Sequence, residues 1–272
     1  MRIADGRVAL VTGAGAGFGA GITERLVREG VKVTAVDIDT DRLDSLVERL
    51  GPSVRAVTAD VRSEEQIGDA VRTTVEAHGS LDTLVLAAGI VGGRGIETTT
   101  LADWDRVMDV NLRGAFISTK AAIPALRTSG RGRIVAISSD VGRRGFAGGQ
   151  AYSASKFGLI GLIESTAAEL ARSGVNANTV CPIGVPTTEM GQAILSSQVA
   201  AGIGSAEEIL AARASGVPLG RNATVEDVVS AMLFFIAEDS AFLTGLSLDV
   251  DGGTHLARGV LTPWQAPRRR AE

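Results

Sequence analysis

The chain contains one tyrosine, and it stands four residues ahead of a lysine in Tyr152-Ser153-Ala154-Ser155-Lys156. In a helix that spacing puts both side chains on one face. A phenol in water has a pKa of about 10, too high for a base near neutrality. A neighbouring ammonium favours the phenolate, so the pair is suited to moving a proton to or from a substrate oxygen. Taken alone the pair is commonplace, since an exposed helix could carry it with no function. Two upstream features raise its weight. Ser138-Ser139 closes an apolar run, with Ser139 standing 13 residues before Tyr152, and reactive groups gather at the carboxyl edge of a parallel sheet. Asn111, in Asn111-Leu112-Arg113-Gly114, follows a helical pattern. Asn is a poor residue for a helix interior, which implies a kink or a specific hydrogen bond there.

A second constellation lies near the N-terminus. An apolar run leads into Thr12-Gly13-Ala14-Gly15-Ala16-Gly17-Phe18-Gly19, after which a helical pattern begins. Glycines permit a tight turn and let backbone N–H groups approach a pyrophosphate at a helix N-terminus. The spacing fits T-G-x-x-x-G-x-G through Thr12, Gly13, Gly17 and Gly19 rather than G-x-G-x-x-G. Asp37 ends the next apolar run, 24 residues past Gly13, where an acidic residue hydrogen-bonds an adenosine ribose. It would repel a 2′-phosphate, Asp39 adds to that repulsion, and the glycine loop holds no Lys or Arg. The expected cofactor is therefore NAD rather than NADP. Asp60-Val61, after the third run, is a weaker candidate for an adenine contact.

These residues need a scaffold, and the pattern supplies one. Short apolar runs at 7–13, 31–37, 54–60, 83–89, 132–138, 175–181 and 246–250 read as strands. Most are continuously apolar, as strands covered on both faces are. Helical patterns lie between them at 40–50, 63–78, 101–128, 151–172 and 224–237. Ser63 followed by Gln66 has capping-box spacing, and Thr224 with Asp227 marks another start. Strand–helix alternation implies a doubly wound α/β fold, a Rossmann-type seven-stranded parallel sheet in a single domain. Residues 187–214 form an inserted, mostly helical stretch.

The composition excludes several alternatives. With 272 residues, 45% of them hydrophobic, the chain can bury a sizeable core. The net charge of −4 is spread without a basic face, which argues against nucleic acid. One cysteine and two histidines leave no disulfide and make a zinc site improbable. No apolar stretch reaches a membrane span and no signal peptide opens the chain, so a cytoplasmic protein is expected.

Taken in order, Thr12-Gly13…Gly17…Gly19, Asn111, Ser139 and Tyr152…Lys156 resemble the short-chain dehydrogenase/reductase family in its compact single-domain branch. Pro218-Leu219-Gly220-Arg221 and Thr244-Gly245…Val250-Asp251-Gly252-Gly253 add to the resemblance, which extends over about residues 6–256. It implies hydride transfer between a nicotinamide and a secondary alcohol or ketone, with Tyr152 as general acid–base. Lys156 would hold the nicotinamide ribose and lower the phenol's pKa, and Ser139 would bond the reacting oxygen while Ser138 is structural. Asn111 would position a water linking Lys156 to solvent. The cofactor would contact Gly13, Gly15, Phe18, Gly19, Asp37, Asp60, Val61, Ala88, Gly89 and Thr187, besides Tyr152 and Lys156, with no metal. A homotetramer paired through helices 101–128 and 151–172 is also implied.

Two departures stand out. The family's Asn-Asn-Ala-Gly reads Leu86-Ala87-Ala88-Gly89, where repacking is expected, and its Pro-Gly reads Pro182-Ile183-Gly184. In this family the substrate pocket is walled by the stretches at 90–97, 140–150 and 186–214. The last carries Met190, Ile194, Leu195, Val199, Ile203, Ile209 and Leu210, with Arg213 its only basic residue. An uncharged, partly apolar alcohol or ketone is expected, unless Arg143 and Arg144 point inward. A nucleotide-sugar epimerase of the extended relatives would be longer and spaced differently at its glycines. A non-catalytic NAD-binding sensor or structural subunit would be expected to lose the catalytic set, which is intact. Residues 262–272, with Arg268, Arg269 and Arg270, read as a basic tail outside the domain at 1–261.

Overall fold

In a computed structural model that describes residues 3–92 and 95–257, seven strands form one parallel sheet in the order β3-β2-β1-β4-β5-β6-β7. They are β1 (Val8–Thr12), β2 (Lys32–Asp37), β3 (Val54–Thr58), β4 (Thr83–Leu86), β5 (Arg133–Ile137), β6 (Asn176–Pro182) and β7 (Ser247–Val250). Every pairing is parallel. Each strand lies within three residues of its sequence-based position. The helices are α1 (Gly17–Arg28), α2 (Thr40–Leu50), α3 (Glu64–His78), α4 (Leu101–Met108), α5 (Gly114–Ser129), α6 (Gln150–Leu170), α7 (Glu189–Ala200), α8 (Ala206–Ser215) and α9 (Val225–Ile236), with a last turn at Thr254–Ala257. The basic tail lies outside the described residues, as do Gly93 and Arg94 of the stretch after β4.

The continuous apolarity of the strands has a direct cause, because neighbours along each strand serve two different cores. Ala9 and Val11 of β1, with Val135 and Ile137 of β5, pack under α1, α2 and α9. Leu10, Ile134 and Ala136 face the other way, under α3, α5 and α6. Burying each large aliphatic side chain contributes roughly 1.5–3 kcal/mol, so both layers are held firmly to the sheet.

Between β3 and β4 the chain crosses from one edge region to the middle, and the order reverses between β1 and β4. A crevice opens at such a switch point, outside the carboxyl ends of the strands. Thr12, Asp37, Leu86 and Ile137 end four of the strands that surround it.

Helix starts follow the side-chain caps. Thr224 and Asp227 form a reciprocal capping box at α9. At α3 the Ser63 hydroxyl accepts from Gln66 N–H, but Gln66 does not return the bond. Its Oε1 takes the Asp60 N–H at 2.8 Å instead and fixes the chain after β3. The expected helix at 101–128 is continuous but contains a π-helical turn, Asp109–Arg113, between α4 and α5. Such single-turn bulges shift the helix face and recur at functional sites. The residue this one displaces is Asn111.

Candidate active site

The loop joining β1 to α1 is packed so closely that side chains have no room. Gly13 has φ +67°, and a Cβ there would stand 2.6 Å from Ala88 Cα. A Cβ on Gly19 would stand 2.0 Å from the Gly13 carbonyl oxygen. Either substitution would push the backbone of the loop outward. Ala16 precedes α1 in extended conformation and gives no side-chain cap. By contrast, Asp39, Ser63, Thr100, Thr188, Ser205 and Thr224 cap their helices. The first-turn N–H groups of α1 therefore keep their capacity for an anion, reinforced by the positive end of the helix dipole. Phe18 sits half-buried against the core below them. The arrangement fits a dinucleotide laid with its pyrophosphate over α1.

Asp37 is fixed beside this loop. Its Oδ2 accepts the Gly15 N–H at 2.9 Å and its Oδ1 the Asp39 N–H at 3.1 Å. Arg42, which sequence reasoning passed over, stands close by. Its Nε lies 2.9 Å from Asp39 and its Nη1 2.7 Å from Glu189 on α7. Asp60 is tied up by Arg62, whose Nε meets both carboxylate oxygens at 3.0 and 2.9 Å and holds the acid below its usual range. Val61 is buried, filling the space where Gly114 lacks a Cβ. Ala88 N–H reaches Thr12 Oγ1 at 3.5 Å. Where the family has asparagines, Leu86 is buried in one core and Ala87 packs on the other, so apolar packing replaces amide bracing.

Across the crevice the reactive side chains converge. Ser139 follows β5 in extended backbone. Its Oγ is within reach of Asp140 Oδ1 (3.1 Å) and the Pro182 carbonyl (3.4 Å), and it lies close enough to the Tyr152 phenol to favour its ionised form. Ser138 turns away and donates to the Lys156 carbonyl at 2.9 Å. On α6, Lys156 is 5% exposed, and its Nζ donates to the Ile137 carbonyl at 2.8 Å, 5.7 Å from the centre of the Tyr152 ring. Burial drives this ammonium down to about 8.

The phenol behaves differently from the expectation. Burial pushes Tyr152 up to about 12; the neighbouring Ser139 hydroxyl opposes this and the Asp140 charge adds to it. Desolvation of the phenolate is the largest cause, and it prevails although the Lys156 ammonium stands 5.7 Å from the ring centre. Without cofactor the phenol is protonated at neutral pH.

The π-turn delivers Asn111 to this cluster at 1% exposure. Oδ1 accepts the Ile90 N–H at 2.8 Å, and Nδ2 donates to the Ile90 carbonyl at 2.9 Å and to Ser155 Oγ at 3.0 Å. Ser155 in turn donates to the Tyr152 carbonyl at 2.7 Å. Both amide hydrogens are spent and one Oδ1 lone pair remains. A Cβ on Gly89 would stand 3.5 Å from both Asn111 Oδ1 and Lys156 Nζ, so the missing side chain keeps that corner open. Thr187 is exposed. Its neighbour Thr188 faces the glycine loop, 3.9 Å from a Gly17 Cβ, and caps α7 by accepting from Gly191 N–H.

Two cavities adjoin the cluster and share Asp140 and Thr254. The larger, about 460 Å³, is walled largely by Ile183, Gly184, Gly191, Ile194, Ala212 and Val217, with Asp140, Arg213 and Asn222 as polar members. Arg213 donates to Gln198. The smaller, about 240 Å³, is lined by Arg143, Arg144, Asp249, Asp251 and His255. Arg143 is matched there by Asp249 at 3.3 Å, and Arg144 donates to the His255 carbonyl. Of the apolar residues expected to wall the pocket, Val199 and Ile203 face solvent. Among the described residues no cluster of His, Cys, Asp or Glu could hold a metal ion, and no helix is long and apolar enough to cross a membrane.

A doubly wound sheet with a glycine cradle at its switch point and a Ser–Tyr–Lys set opposite defines a Rossmann-type oxidoreductase. The chain belongs to the short chain dehydrogenase family, whose model matches residues 7–198. It is similar to 2-(S)-hydroxypropyl-CoM dehydrogenase 3 of Xanthobacter autotrophicus, with 35% identity over 90% of this chain and 95% of that one. The solved structure of levodione reductase superposes with a TM-score of 0.86 and 29% identity, covering 93% of this chain and 99% of that one. An actinorhodin polyketide ketoreductase variant, solved with NADPH, gives 0.86 and 34%, covering 91% and 97%. Such relatives are oxidoreductases of alcohols and ketones that use a nicotinamide dinucleotide.

Proposed function

We propose that this protein is an NAD-dependent oxidoreductase that interconverts a secondary alcohol and a ketone, with Tyr152 as general acid–base. The observation that carries the reading is the convergence of Ser139 and Tyr152 beside the buried Lys156, whose Nζ lies 5.7 Å from the centre of the phenol ring, at the sheet's carboxyl edge. The bound dinucleotide supplies or accepts the hydride. Gly13, Gly15, Phe18 and Gly19 would hold its phosphates and Asp37 its adenosine ribose. Lys156 would hold the nicotinamide ribose, and Thr188, rather than Thr187, would face the nicotinamide side. Ser139 donates a hydrogen bond to the substrate oxygen. Tyr152 gives its proton to that oxygen in ketone reduction and takes it back in alcohol oxidation. Asn111 braces the Tyr152 turn through Ser155, and its free lone pair accepts the water that links Lys156 to solvent.

The larger cavity is mostly apolar, and its one arginine and one aspartate offset each other. That supports an uncharged, partly apolar substrate. Arg143 and Arg144 do point toward the smaller cavity, but carboxylates share it, which leaves no net basic cluster for a phosphorylated substrate. Exposed Phe116 on α5 and Phe157 on α6 support helix pairing in a homotetramer, and the lone buried cysteine is compatible with the cytoplasm. NAD-linked oxidation of a panel of secondary alcohols tests the assignment. Turnover of neutral members supports it, and turnover of only acidic or phosphorylated compounds contradicts the substrate class.

The cofactor preference follows from Asp37. Asp37→Ala is expected to reduce the ratio of NAD to NADP efficiency by at least about fivefold, since one unit charge beside a phosphate is worth on the order of 1 kcal/mol even in a solvated setting. Measured kcat/KM for both cofactors checks this. An unchanged ratio removes Asp37 from the cofactor site.

A further inference from the structure

We propose that Glu189, from the helix that follows β6, is a second determinant of cofactor choice: it occupies Arg42, the cation best placed to receive a 2′-phosphate. This rests on the NAD reading given above. Arg42 lies in the first turn of α2, directly after the strand that ends at Asp37. A Cβ on Gly15 would stand 3.0 Å from both Arg42 Cβ and Asp37 Oδ2, so Arg42 borders the space reserved for the adenosine ribose. An arginine in that position binds phosphate well, because its guanidinium offers a fork of donors matched to phosphate oxygens.

Here the fork is engaged twice. Asp39 takes Nε at 2.9 Å and Glu189 takes Nη1 at 2.7 Å. The Asp39 contact is local, three residues away on the same helix start. The Glu189 contact joins residues 147 apart in sequence. It reaches across from α7, whose cap Thr188 stands 3.9 Å from where a Gly17 Cβ would be. An acid in the first turn of a helix is ordinary, since it complements the dipole. What distinguishes Glu189 is the direction it takes, away from its own helix and onto Arg42. The charged groups around this corner are Asp37, Asp39, Glu189 and Arg42, three acids and one base. A 2′-phosphate would meet net negative charge and an arginine already paired with two of those acids.

Both partners are substantially exposed, at 42% and 65%, so the pair adds little to folding stability. Its consequence is the local charge. Replacing Glu189 should leave the thermal midpoint unchanged while altering the distinction between cofactors, which a purely structural contact would not do.

The test is NADH and NADPH binding, by nucleotide fluorescence, to the intact protein and to Glu189→Gln, Arg42→Ala and the double variant. Glu189→Gln is expected to bind NADPH roughly threefold to tenfold more tightly, with NADH binding within about twofold. In the double variant the gain disappears, because Arg42 is the group released. Unaltered NADPH binding in Glu189→Gln, equal tightening of both nucleotides, or a gain that survives Arg42→Ala overturns the proposal. The unaltered protein reads the parent assignment separately. If it binds NADPH more tightly than NADH, the NAD reading fails; if it prefers NADH and only the variants are silent, Glu189 alone is excluded.

Discussion

Tyr152→Phe is expected to lower kcat by about 10²- to 10⁴-fold, the usual contribution of a positioned acid–base group, while NADH binding stays within about twofold. The substitution removes one oxygen and keeps the ring that packs near Lys156 Nζ. The glycine cradle and Asp37 lie across the crevice and lose no contact. Ser139 retains Asp140 and the Pro182 carbonyl as partners, so its position should hold. Turnover measured beside fluorescence titration of NADH separates the two effects. Near-normal turnover in the variant would remove Tyr152 from the mechanism, whereas joint loss of binding and turnover would mean that the ring has a structural role instead.

The other large effect is on stability and lies at the opposite edge of the sheet. Arg7 is fully buried and donates to Thr83 Oγ1, the Arg131 carbonyl and Glu238. Arg133, 4% exposed, is depressed first by burial and then by Arg7, while Glu238 supports its charge. One carboxylate thus answers two buried cations. Glu238→Ala would leave both without a counter-charge, and removing one partner of a buried pair costs about 3–5 kcal/mol. Since Glu238 is itself 28% exposed, the lower figure applies. That corresponds to a fall in Tm of roughly 6–12 °C for a chain of this size. Glu29→Ala, which breaks an exposed pair with Arg25, should cost less than about 1 kcal/mol. Similar melting temperatures for the two variants would mean that water reaches Arg7 and Arg133 in the folded protein.

The elements were legible because burial on both faces leaves a simple trace. Alternate residues of β1 and β5 enter different cores, so the strands read as unbroken apolar runs. The caps at Ser63 and Thr224 mark their helices. What the sequence did not reveal depends on contacts between distant segments or on local geometry that composition does not encode. Asn111 signals a disturbance, but a π-turn and a kink leave the same pattern in one dimension. Gln66 has the spacing to bond Ser63, and only the third dimension shows it bonding Asp60. Arg42 lies three residues past Asp39 and could have been suspected from that spacing, while its partner Glu189 could not. The Arg7–Glu238 contact spans 231 residues.

The sign of the Tyr152 shift was also beyond the sequence. Four residues along a helix guarantee that Lys156 is on the same face, yet they do not say how deeply the phenol is buried. In the folded chain that burial decides the outcome. The cofactor-free site is thus loaded with a proton, ready for a carbonyl oxygen, and must lose that proton before it can act as a base.

This gives the account its most direct test, the pH dependence of kcat/KM in both directions. A phenol raised to about 12 is protonated across the neutral range, and its basic form grows with each step upward in pH. Alcohol oxidation should therefore rise steadily from pH 6 to 9, by up to about tenfold per unit, whereas ketone reduction should stay level or fall. An oxidation rate that is flat or declines over that range would contradict Tyr152 as the group that takes the proton.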